Sequence, residues 1–281
     1  MSTLWYKVGV DMISFGHIIV LIGISVVGGG ILLLLLWPTA RSGARLLRNW
    51  GVAEPTSEQG RVARLYLLNR RLLYVVFIIL AGPLGGLAVL VIGRSYFPYV
   101  GWFLVALLLA ELIAMLRPVR GEVRVATLAR RGIADVVPRW MIAVHLVTVA
   151  ATVAGVVVLE TQGGQDMGLG SMWLEIALVV GSAVAVYAVA WFAVARPAVG
   201  DAQVDQALRL RSARVMIGLG TMFAATLLSG VLGLLAGWQH DEAIAVAAVV
   251  VQVFGLVAWG VMASVFAFWS GLRGQVPARN G

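Results

Sequence analysis

The chain has 281 residues, of which 61% are hydrophobic and 12% charged, and its mean hydropathy is +0.96. A composition this apolar excludes a water-soluble domain of that length and leaves a single membrane domain over residues 1–281. The net charge of +8 comes from arginines in short gaps beside apolar runs, where anionic lipid head groups are nearer than nucleic acid, and the absence of cysteine removes disulfides, thiolate metal sites and iron–sulfur clusters.

Seven apolar runs are long enough to span the hydrocarbon as helices: Val8 to Trp37, Arg71 to Ile92, Tyr99 to Leu116, Trp140 to Leu159, Met172 to Ala195, Val215 to Trp238 and Ala243 to Trp269. The first lacks a basic n-region and an evident cleavage site, so it is expected to be a retained helix and not a secretory signal. Gly9, Gly16, Gly23 and Gly30 recur in it every seven residues and predict a stripe where a neighbouring helix approaches closely. His17 lies in the same run, about 13 Å deep counted from Val8 but near the outer boundary counted back from Trp37. Pro83, flanked by Gly82, Gly85 and Gly86, predicts a kink in the second helix.

Nineteen of the 21 basic residues fall in alternate gaps, and the intervening gaps hold only Lys7 and Arg94. Retention of arginine on the cytoplasmic side predicts an outside N-terminus and a cytoplasmic C-terminus in a plasma (inner) membrane. The expected fold is therefore all-α, a polytopic bundle of seven transmembrane helices. Pro38, Pro118 and Pro197 each close an apolar run at intervals of 80 and 79 residues. That period suggests a parallel threefold helix-loop-helix repeat over 8–92, 99–159 and 172–238, followed by a last helix at 243–269. In the second and third basic loops, Val125 and Leu128, and Val204, Ala207 and Leu208, have the spacing of short interfacial helices.

Ionisable groups within hydrocarbon are costly and become functional candidates. Glu111 precedes Arg117 by six residues and His145 follows Arg139 by six, which sets both about 9 Å from the same boundary. A hydrogen-bonded Glu111–His145 pair is expected, able to relay a proton or to orient a histidine towards haem or metal. Thr148 and Thr152 extend the His145 face, and Gln252 is a further polar group of the interior; together they would line a path if one exists. No metalloprotease helix, phosphate-binding loop or serine elbow is present, so no catalytic residue is assigned.

His17-Ile18-Ile19 opening a helix, Arg70-Arg71-Leu72-Leu73-Tyr74, and the Pro83-Leu84-Gly85-Gly86 segment resemble small bacterial membrane proteins of the HemJ-type and CopD-type groups over residues 17–92. The resemblance implies a protein that handles haem b or copper, with His17 in the place of the first-helix histidine. The tryptophan expected shortly after that histidine and the intramembrane lysine of those groups are absent here. Two functions stay open: an integral subunit or accessory protein of a larger membrane assembly, bound to other membrane subunits and handling haem or a metal through His17 or His145, or a proton-coupled transporter or channel.

Overall fold

The computed structural model describes residues 37–52, 54–92, 99–116, 124–125, 132–162, 169–195, 198–199 and 201–263, preceded by helical positions 23, 26, 27, 30, 31, 33 and 34. Helix α1 (Ala40–Asn49) starts where Pro38 ends the first run. Thr39 caps it reciprocally: its hydroxyl accepts from the Ser42 amide at 3.2 Å, and its amide donates to Ser42 Oγ at 2.9 Å. Arg41, Arg45 and Arg48 are exposed on one side of α1 while Leu47 is buried on the other. Gly43 makes this docking possible, because a Cβ there would stand 2.3 Å from the Gly60 carbonyl oxygen of the next helix.

Helix α2 (Ser57–Ile92) begins well before the apolar run and continues through Pro83. The basic gap between the first two runs is thus largely helical. Its N-terminus is another reciprocal cap, Gln59 Oε1 accepting from the Thr56 amide at 2.8 Å. Helix α3 (Tyr99–Leu116) follows, then the two-residue strand β1 (Arg124–Val125), the single turn α4 (Ile133–Val136) and α5 (Arg139–Gln162). Helix α6 (Leu169–Ala195) leads into β2 (Ala198–Val199), which pairs antiparallel with β1. Val125 is therefore in a strand and not in the interfacial helix expected there.

Helix α7 (Ala202–Gln239) absorbs the other expected interfacial segment, since Val204, Ala207 and Leu208 are its first buried turns. Asp201 caps it, accepting from the Gln203 and Val204 amides. His240, at φ 50°, closes its end, and Asp241 starts α8 (Glu242–Ala263) by accepting from the Ala243 and Ile244 amides. Four of these helices, α5, α6, α7 and α8, are long and apolar enough to cross a membrane.

Helix α7 is the axis of the molecule. Within its apolar stretch 72% is buried, against 28% for α5 and α6 and 11% for α8. Met141, Val186, Ala190, Ile217 and Met262 form one core between α5, α6, α7 and α8, and Leu107, Val215, Leu219, Met222 and Phe223 form another between α3 and α7. The outward sides of α5, α6 and α8 expose large apolar groups such as Val147, Val184, Trp191, Val249 and Phe254. Such faces suit lipid, which satisfies no backbone group and favours helices alone.

Candidate functional site

Helix α2 places Tyr66, Arg70 and Tyr74 four residues apart on one face. That face meets Glu111 of α3 and Ser212 of α7. Arg70 Nη1 lies 2.5 Å from Glu111 Oε2, with 4% and 0% of the two side chains exposed, and the Tyr74 hydroxyl donates to Glu111 Oε1. Arg70 Nη2 donates to Ser212 Oγ at 2.8 Å, and its guanidinium stacks 4.5 Å from the Tyr66 ring centroid.

The directions of the remaining bonds follow from donor counting. Ser212 spends its hydrogen on the Leu208 carbonyl, and Arg211 Nη1 donates to the Tyr66 oxygen, so the Tyr66 hydroxyl donates to Ser212 Oγ at 2.9 Å. Ser212 of α7 thus accepts from two side chains of α2 at once. Glu111 receives a guanidinium at one carboxylate oxygen and a hydroxyl at the other.

The expected Glu111–His145 hydrogen bond is not formed. Arg70 and Tyr74 occupy both carboxylate oxygens, and neither His145 nitrogen has a partner among the described residues. The reason is the early start of α2: Arg70 is well inside a helix, and its long side chain reaches Glu111, whereas His145 faces Gly220 of α7 and Tyr187 of α6. There the imidazole is 1% exposed, its ring centroid 5.4 Å from that of Tyr187. Gly220 is its floor, since a Cβ there would stand 2.9 Å from His145 Cε1 and 2.8 Å from Val186 Cγ2.

Thr148 and Thr152 are buried below His145, but their hydroxyls turn back to the Val144 and Thr148 carbonyls, and Thr152 also donates to the Ala224 carbonyl of α7 at 3.0 Å. Gln252 Nε2 donates to Thr226 Oγ1 at 3.2 Å, and Ser229 Oγ donates to the Ala248 carbonyl at 2.8 Å. These are bonds between neighbouring helices. A cavity of about 30 Å³ lies between Thr152, Val156, Glu175 and Val231, room for about one water.

His17, Gly9 and Gly16 lie outside the described residues. Gly23 and Gly30 are helical, and a Cβ at either would meet nothing within 4 Å among the described residues. The close helix approaches occur elsewhere: a Cβ at Gly255 would stand 2.6 Å from Ala225 Cβ, and one at Gly218 would stand 3.1 Å from Met262 Cβ. Among the described residues no three His, Asp or Glu side chains are grouped to hold a metal.

Arg70, Tyr74 and Ser212 were legible only in part. The i, i+4, i+8 spacing of Tyr66, Arg70 and Tyr74 is the signal that links them, visible once the helix is known to begin at Ser57. The molecule is, by its fold, a helical protein with four membrane-capable helices and a buried Arg–Glu pair between α2 and α3. No family model, curated protein or solved structure matches the chain.

Proposed function

We propose that the protein is a seven-helix integral protein of the plasma (inner) membrane, N-terminus outside and C-terminus cytoplasmic, that acts as a non-catalytic subunit of a larger membrane assembly. The closed interior carries this reading. Gly218, Gly220 and Gly255 draw the helices into contact around α7, and the interior threonines and Gln252 bond to their neighbours rather than face a lumen. A function then falls to the outer faces and the arginine-bearing segments. If a haem b or copper is handled, as the HemJ-type and CopD-type resemblance implies, His17 is the residue to hold it.

One observation favours a second reading, a proton-coupled transporter. Glu111 is sealed between Arg70 and Tyr74 on three different turns of two helices, and a carboxylate held so can exchange its cation for a proton when the helices part. Purification in native lipid followed by mass spectrometry decides between them. The subunit reading expects a defined partner protein at fixed stoichiometry. A partner-free protein that moves protons in liposomes, and stops doing so in Glu111→Gln, overturns it in favour of the transporter.

A further inference from the structure

Arginine is in excess where α1, α2 and α7 meet. Arg70 is matched by Glu111, and Arg209 by Asp205 at 2.5 Å. Arg71, Arg211 and Arg214 have no carboxylate within ion-pair distance among the described residues. Arg211 is near enough to Arg71 for their charges to repel. Arg214 is 2% exposed, its guanidinium 5.4 Å from the Trp50 ring centroid, and its Nε and Nη2 are buried without an acceptor. Arg211, three residues earlier on α7, stacks 5.6 Å from the Tyr66 ring centroid.

A buried guanidinium with two idle donors carries a large desolvation cost unless an anion meets it. Its planar fork and the adjacent cations match the oxygens of a phosphate group, which accepts two parallel N–H bonds from one arginine. We propose that the notch between Trp50, Tyr66 and the N-terminal half of α7 binds a phosphate group, from a phospholipid head group or free in solution, through Arg214 and Arg211 with Arg71 beside them. Arg71 and Arg211 are only partly buried.

The full chain, purified and stripped of lipid, is titrated with phosphatidylglycerol, phosphatidylcholine or inorganic phosphate, with Tm and lipid retention in native mass spectrometry as readouts. Phosphatidylglycerol is expected to raise Tm and remain bound, with about tenfold weaker binding in Arg214→Gln and in Arg211→Gln. Arg45→Gln, on the exposed side of α1, is expected to bind as the parent does. An equal Tm rise with inorganic phosphate assigns the site to a free anion; its absence, with phosphatidylglycerol effective, assigns it to a head group. No Tm rise with either phospholipid or with inorganic phosphate, or undiminished binding in both variants, overturns the proposal. Should Arg214→Gln fail to fold, Arg211→Gln carries the test alone.

Discussion

Arg70 and Glu111 meet at 2.5 Å with both side chains withdrawn from solvent, joining α2 to α3 through a pair of buried charges. Breaking such a pair from one side leaves a bare charge in an apolar surrounding, which costs about 3–5 kcal/mol, whereas replacing both partners by apolar groups of similar volume is often neutral. Glu111→Leu and Arg70→Met are each expected to lower Tm strongly, and the double variant to recover most of the loss. Thermal unfolding of the four proteins in one detergent measures this. Additive losses in the double variant would show that the pair is not a unit.

Gly220 is expected to tolerate no side chain. An added methyl stands under 3 Å from both His145 and Val186, so Gly220→Ala should cost about 1–3 kcal/mol. Val186→Ala combined with His145→Ala makes room, and a double-mutant cycle should show a coupling above 0.5 kcal/mol in the order of magnitude known for touching residues. No coupling would mean that the helices shift apart instead.

The Asp201 carboxyl is held below its ordinary value of 3.8, first by the Gln59 side-chain amide at 2.7 Å, which outweighs the opposing effect of burial, and further by the Val204 and Gln203 amides. A lowered folded-state pKa gives stability that is present above about 3.8 and is lost as pH falls through the folded value. Melting midpoints measured from neutral pH downwards should therefore show an acid-side loss that shifts to higher pH in Gln59→Ala. Since Asp201 is exposed, the effect is small; Asp201→Ala, which removes the cap itself, is expected to cost about 1 kcal/mol at neutral pH.

The chain has no cysteine, so single cysteines report topology without background. Gln239→Cys, at the exposed α7–α8 end, is expected to react with a membrane-impermeant maleimide in intact cells. Arg45→Cys on α1 should react only after permeabilisation. Labelling of both from the same side would refute the proposed orientation.

The all-helical class and the apolar helices were readable from run length, because helices of about 20 apolar residues are the cheapest way to satisfy backbone groups in hydrocarbon. The inward face of His145, Thr148 and Thr152 was readable from helical spacing, and all three are buried. Glu111 was recognisable as an interior charge because composition alone marks it. Its partner was not. Equal depth on antiparallel neighbours favoured His145, but depth says nothing about which helices are neighbours, and α3 and α5 each pack on α7. Hydropathy also put the start of the second helix at Arg71, since arginines lower the mean without breaking a helix; α2 starts at Ser57, where Thr56 and Gln59 cap it.

By itself, the sequence determined which segments are helical and apolar, where the arginines cluster and which polar groups must be buried, since these follow from local hydrogen bonding and transfer free energy. Tertiary structure alone decided that α7 is the axis, that the close approaches fall at Gly43, Gly220 and Gly255 and not along Gly23 and Gly30, and that Arg70 takes Glu111 while His145 is left walled by Val186 and Gly220. Those outcomes depend on which faces of distant helices meet, and lipid, as apolar as the helices themselves, supplies no hydrophobic pattern from which that choice can be read.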